Sequence, residues 1–214
     1  LRVIADLEQP TGGKILVNGV SATEAREKRA YGYVFQAAAL YPWRTIARNV
    51  ALPLEIMGLD RAERDRRVKN NLDMVNLTGF ERKFPWQLSG GMQQRASICR
   101  ALIHEPKMLL LDEPFGALDA FTREELWCIL RDLWSVQRFN VILVTHDLRE
   151  AVFLADTVYV MSKSPGRMLV RREIALPRPR DLEVTYTKEF TDIVLELREH
   201  IGAIRKPLAA AAAP

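Results

Sequence analysis

The chain carries two kinds of hydrophobic pattern. Three apolar runs are short and unbroken: Met108–Leu111 ending in Asp112, Val141–Val144 ending in Thr145-His146, and Thr157–Met161. Runs without alternation predict strands covered on both faces, as in a parallel sheet. Tyr31–Phe35 is a further strand-like run. Helical spacing fills the intervals. Val68, Leu72 and Val75 fall at i, i+4 and i+7 in a stretch that reads helical from Ile46 to Phe84. Ser89 opens a second helix, along which Met92, Ala96, Cys99 and Ile103 share one side. Leu126, Ile129, Leu130, Leu133 and Trp134 predict an amphipathic helix between the first two runs. Strand, helix, strand at that spacing predicts a right-handed crossover. Residues 1–8 read as the end of a helix, Lys14–Val17 as a short strand closing at Asn18-Gly19, and Phe190, Ile193, Val194 and Leu197 as one face of a last helix. Ala209–Ala213 is low in complexity and expected to fray. The polar residues that end strands belong at the carboxyl edge, where α/β sheets place their chemistry.

Composition narrows this picture. The chain has 214 residues, room for one substantial domain or two small ones. Its 48% hydrophobic and 27% charged residues are those of a soluble globular protein. No apolar run approaches the ~20 residues of a membrane-spanning helix. Arg2, Asp6 and Glu8 interrupt the apolar start, so no secretory leader is expected there. The net charge of +4 permits a nucleic-acid partner without arguing for one. The densest basic cluster (Arg61, Arg64, Arg66, Arg67, Lys69) alternates with Glu63 and Asp65, and reads as the solvated face of a helix. Cys99 and Cys128 lie far apart, in no metal-ligand spacing, and read as small buried hydrophobes in a reducing compartment.

Two stretches carry chemistry. Leu109-Leu110-Leu111-Asp112-Glu113-Pro114 is an apolar strand ending in adjacent carboxylates, which is costly unless they meet a cation or strong donors. Asp112 can hold Mg²⁺ directly or through water, while Glu113 polarises an attacking water. The plainer alternative is a strand that ends in two exposed acids. Leu88-Ser89-Gly90-Gly91-Met92-Gln93-Gln94-Arg95 joins a good N-cap to two glycines that let backbone N–H groups approach an anion. A helix start of this kind is a natural phosphate site, although an ordinary capped helix would look the same.

Order and spacing decide between these readings. Leu88–Arg95 resembles the signature motif of the ATP-binding cassette (ABC) family, and Met108–Pro114 its Walker B motif. Phe115-Gly116-Ala117-Leu118-Asp119 resembles the D-loop, Val34-Phe35-Gln36 the Q-loop, and Val144-Thr145-His146-Asp147 the switch-histidine segment. The resemblance runs to about Lys206. It implies an α/β fold of the P-loop NTPase type: a RecA-like, mostly parallel sheet core with an inserted α-helical subdomain. It implies a single ABC ATPase domain over 1–206, with the catalytic core at 1–40 and 105–180, the helical subdomain at 41–104, a C-terminal helical tail at 181–206 and a disordered tail at 207–214.

The same resemblance implies ATP and Mg²⁺ as ligands, and two subunits paired head to tail. Glu113 would be the general base, with Asp112 and Gln36 at the metal and His146 on the γ-phosphate. Ser89, Gly90, Gly91 and Gln93 would contact the ATP of the opposite subunit, and Asp119 would link the two sites. The family's glycine-rich Walker A loop is not found in these residues, and Leu1–Glu8 looks like the segment that follows it, with Asp6 where a glycine is usual. The N-terminal strands and P-loop are therefore read as missing, and these residues by themselves are expected neither to bind ATP tightly nor to hydrolyse it.

The roughly fifty residues between Gln36 and Ser89 show no sustained heptad. That favours a transporter subunit over chromosome-maintenance relatives with long coiled coils. Leu40-Tyr41-Pro42-Trp43-Arg44-Thr45-Ile46 and Leu176-Pro177-Arg178-Pro179-Arg180-Asp181 look like importers for nitrate, sulfonate, taurine and related solutes. The implied partners are a second ATPase subunit, transmembrane permease subunits and, indirectly, a solute-binding protein, with no nucleic acid. The implied location is the cytoplasmic face of a bacterial-type membrane, held peripherally. Trp43 and Pro42, beside Gln36, would face the permease rather than merely pack a turn. The alternatives are a non-transport ATPase acting on nucleic acid or ribosomes, and a non-catalytic remnant.

Overall fold

The computed structural model describes residues 1–205, with the side chains of 203–205 excepted. The expected disordered tail at 207–214 lies outside the described residues. The chain divides into two compact units, Leu1–Val144 and Thr145–Pro214.

The first unit opens with hydrogen-bonded turns over residues 1–7 rather than the end of a regular helix. A two-residue hairpin follows, β1 (Leu16–Val17) with β2 (Val20–Ser21). Asn18 and Gly19 both have positive φ (50° and 86°), the paired left-handed geometry that a two-residue hairpin turn needs. Helix α1 (Ala22–Glu27), capped by the Ser21 hydroxyl, was not legible in the sequence.

The sheet of this unit contains β3 (Tyr31–Val34), β4 (Met108–Asp112) and β5 (Asn140–Val144), all parallel, in the order β3-β4-β5. Val34, Leu109, Leu110 and Leu111 are fully buried. The edge strand β5 departs from the expectation of cover on both faces. Val141, Ile142 and Val144 remain 38%, 36% and 41% exposed, and among the described residues β5 has a strand neighbour on one side only.

Helices α2 (Ile46–Ile56) and α3 (Arg61–Met74) pack on each other and on α4 (Gly90–Leu102). Gly58, at φ 75°, breaks the long helical stretch read from the sequence into two. Val68, Leu72 and Val75 are buried as their spacing requires. Cys99 is buried in α4, where burial raises its thiol pKa, and Cys128 is half-buried. Helix α5 (Ala120–Gln137) buries Leu126, Ile129, Leu130 and Leu133 and ends on left-handed Arg138.

The second unit contains α6 (Leu148–Leu154), β6 (Thr157–Met161), β7 (Met168–Glu173) and α7 (Lys188–Arg205). Here β6 is not a strand of a parallel sheet covered on both faces. It pairs antiparallel with β7, burying Val158 and Val160 while Tyr159 and Met161 stay exposed. Phe190, Ile193 and Leu197 form the buried stripe of α7, as expected. No helix among the described residues is long and apolar enough to cross a membrane.

Candidate functional site

Each chemical residue of the first unit sits where a strand or helix ends. β4 delivers Asp112 at its carboxyl end, half-buried. Its Oδ2 accepts a 2.9 Å hydrogen bond from the Tyr33 hydroxyl on β3. Burial and this bond push the Tyr33 phenol up to about 12, so it stays protonated and donates. Glu113 follows with φ 47°, a left-handed conformation unusual for a residue with a side chain. Its N–H donates to the Val144 carbonyl at 2.9 Å, and its own carbonyl accepts from Gly116. These bonds hold the strained turn and direct the chain away from the sheet, toward Pro114–Leu118.

The second component is α4. Ser89 caps it, its hydroxyl accepting from the Met92 N–H at 3.3 Å, and Ser89 and Gly90 are exposed. Gly91 is buried, and a Cβ there would stand 2.3 Å from Thr122 Cγ2. Gly91 thus lets α4 approach α5, a packing role that exists whatever it contacts elsewhere. Gln93 donates to the Leu88 carbonyl. Asp119 caps α5 by accepting from the Thr122 N–H at 3.0 Å, and contact with Thr122 holds its carboxyl below the usual range.

The loop after β3 is tied to α4. Gln94, 3% exposed, donates to the Phe35 carbonyl, and Arg100 donates to the carbonyls of Ala38 and Ala39. Sequence reading missed Tyr33, Gln94 and Arg100 as supports of the site. The result is a cleft of ≈ 160 Å³ lined by Gln36, Ala37, Gly90, Gln93, Pro114 and Leu118, among others. Three stretches far apart in sequence therefore share one wall.

His146 belongs to the second unit, where it is exposed in the turn before α6. Asp147 caps that helix, accepting from the N–H groups of Arg149 and Glu150, and its own N–H donates to the Thr145 hydroxyl.

The donor set bears on the metal. Asp112 is a single carboxylate at a strand end, and no cluster of three or more His, Cys, Asp or Glu among the described residues could hold an ion. That set fits Mg²⁺ shared with phosphate oxygens and water, not an all-protein cage. In the basic cluster on α3, Arg61 pairs with Asp65, Arg64 with Glu55, and Arg66 and Arg67 with Glu63. Tyr41 and Trp43 stack at 5.0 Å, with Trp43 72% exposed.

A parallel sheet with a carboxylate pair at its edge, faced by a glycine-started helix and a glutamine loop, defines the nucleotide-hydrolysing cassette class. The ABC transporter family profile matches residues 1–116, and the chain belongs to that family. It is 39% identical over 208 residues to an aliphatic sulfonates import ATP-binding protein of Bacillus cereus, covering 97% of this chain and 81% of that one. It is 44% identical over 204 residues to a taurine import ATP-binding protein of Pseudomonas putida, covering 95% and 77%. Among solved structures, the ATP-binding cassette MJ0796, in a post-hydrolysis dimer bound to ADP and Pi, matches at TM-score 0.69 and 31% identity over 81% of this chain and 78% of that one.

Proposed function

We propose that this chain is the ATP-hydrolysing subunit of an importer for a sulfonate, taurine, nitrate or a related small solute. The observation that carries the reading is the shared cleft of Gln36, Gly90, Gln93 and the Pro114–Leu118 turn, with Asp112 and Glu113 directly before that turn. Relatives that import aliphatic sulfonates and taurine support the solute class.

In this reading residues 1–206 form one cassette: a catalytic core at 1–40 and 105–180, a helical subdomain at 41–104 and a helical tail at 181–206. Glu113 orders and deprotonates the attacking water. Its left-handed backbone turns the chain out of the strand at this residue, directly before the cleft-lining Pro114. Asp112, with one oxygen held by Tyr33, and Gln36 hold Mg²⁺. Bound there, Mg²⁺ would neutralise charge on the phosphate oxygens. His146 contacts the γ-phosphate.

The exposed Ser89 and Gly90, with Gly91 and Gln93, face the ATP of a second subunit, and Asp119 stands at that subunit boundary. Closure of the pair depends on γ-phosphate contacts, and loss of that phosphate reopens it. The exposed Tyr41–Trp43 stack and the charged groove between α2 and α3 face the permease, at the cytoplasmic side of the membrane. A solute-binding protein acts upstream of that permease.

Glu113→Gln tests the reading. In the assembled transporter, with an intact phosphate-binding loop present, it should retain ATP binding and lose turnover by about 10²–10⁴, the usual contribution of a general base. Turnover equal to the unmodified protein would overturn the assignment.

A further inference from the structure

The segment Leu176–Asp181 has no part in the chemistry above, yet it contains a heavily engaged, buried side chain of the second unit. Arg180 is 2% exposed. Its Nη1 donates to the carbonyls of Val152, Phe153 and Ala155 at 3.0, 2.9 and 2.7 Å. Its Nη2 donates to the Ile174 and Leu176 carbonyls at 3.3 and 3.2 Å. Arg178 donates to the Leu154 carbonyl at 2.6 Å and to Asp156 at 2.7 Å. A helix leaves its last four carbonyls without partners inside the helix. For α6 those are the carbonyls of residues 152–155, and two arginines engage all four.

The other end of the same helix holds His146. α6 has seven residues, too few to persist without support at its ends. Its N-terminal support is Asp147, whose N–H is tied to Thr145, so the turn containing His146 moves with the helix. At 1.5 Å per residue the arginines act about 10 Å from that turn. Two cations at a helix C-terminus also oppose its negative dipole end. Burial and the neighbouring Arg178 push the Arg180 guanidinium down to about 10, which leaves it charged at neutral pH.

We propose that Arg180, assisted by Arg178, is a positioning residue for hydrolysis: it clamps the C-terminal end of α6 and thereby fixes His146 at the other end. The inference rests on the proposed contact of His146 with the γ-phosphate. A lysine cannot replace the clamp, because one ammonium lacks the planar fork that reaches both sides of the Val152–Ala155 and Ile174–Leu176 carbonyls.

The test compares Arg180→Lys, Arg178→Gln and His146→Ala in the assembled transporter, with an intact phosphate-binding loop present. Arg180→Lys should lower kcat about ten-fold, the scale of a small misplacement, with KM for ATP within about two-fold. Arg178→Gln should do the same more weakly. The chain has three histidines, so imidazole NMR resolves them. The His146 signal should shift or broaden in Arg180→Lys while His104 stays in place. Hydrogen exchange in α6 should rise together with the loss of kcat. Unchanged kcat and an unchanged His146 signal, despite faster α6 exchange, would overturn the clamp. If Arg180→Lys does not fold, Arg178→Gln decides by the same readings. If His146→Ala keeps full turnover, the contact assigned to His146 fails. If His146→Ala is inactive and both arginine variants turn over normally, the clamp alone fails.

Discussion

Tyr33→Phe isolates one contact at the candidate metal position. The substitution keeps the ring, its tilted packing on Phe35 and its place in β3, and removes only the hydroxyl that donates to Asp112. A hydrogen bond to an ionised acceptor contributes about 1.5–3 kcal/mol. Both partners are half-buried, so water replaces part of the lost bond and the lower end applies. For a chain of this length each kcal/mol moves Tm by about 2–4 °C, which gives a fall of about 3–6 °C. In the role proposed for Asp112, the hydroxyl fixes one carboxylate oxygen and leaves the other for metal or its water. Loss of such an outer contact weakens metal binding by about 10–100-fold, so the Mg²⁺ concentration for half-maximal turnover should rise by at least the lower figure.

The alkaline limb gives an independent check. Tyr33 ionises near 10 when unfolded and about 12 when folded. Between those values the unfolded chain has released the proton that the folded chain keeps, so stability from this group falls as pH rises. Below pH 10 its contribution is complete. The stability gap between the parent and Tyr33→Phe should therefore be constant to about pH 10 and shrink toward pH 12. The other titrating groups are common to both chains and cancel. Denaturant titrations at a series of pH values measure the gap. A gap that stays constant or widens through that window, with an unchanged Mg²⁺ requirement, would refute the bond as an ordering contact.

Two glycines give structural predictions. Gly32→Ala would set a Cβ 2.1 Å from the Ala101 carbonyl oxygen, a backbone atom of α4. It should cost about 1–3 kcal/mol, read by chemical denaturation. Gly91→Ala meets the Thr122 methyl group instead. Pairing it with Thr122→Ser removes that methyl, and the double variant should recover at least about 1 kcal/mol relative to the sum of the single effects. Strict additivity would show that α4 and α5 do not meet there.

What could be read in the sequence was what neighbours along the chain decide. The unbroken runs Met108–Leu111 and Val141–Val144 became β4 and β5, Ser89 became the cap of α4, and the spacing of Phe190, Ile193 and Leu197 marked the buried face of α7. Contacts across strands and between elements were not legible. β7 was missed because Met168–Glu173 mixes apolar residues with arginines and a glutamate, and only pairing with β6 makes it a strand. Tyr33 reaches Asp112 across 79 positions, through a register that no local pattern encodes. Arg180 looked like one more charge in a proline-broken tail, yet its guanidinium is buried among carbonyls. The exposure of β5 was hidden for the opposite reason: its composition suits a covered strand, whatever stands beside it.

The two halves of the proposed nucleotide machinery in the first unit are not independent levers. Ser89 and Gly90 begin α4, while Gln94 and Arg100, one and three turns into the same helix, hold the carbonyls of Phe35, Ala38 and Ala39 on either side of Gln36. An α-helix transmits displacement along its axis with little loss, since every residue of its interior is bonded to the turn before it. A contact that draws the start of α4 toward a second subunit must therefore carry the Gln36 loop with it or break three hydrogen bonds. The same helix packs on α2, whose N-terminus follows the exposed Tyr41–Trp43 stack, where buried Asn49 bonds the backbone of Tyr41, Arg44 and Thr45. One helix thus connects the Ser89–Gly90 turn, the Gln36 loop and the proposed permease-facing surface. Coupling through it requires only that α4 move as a body.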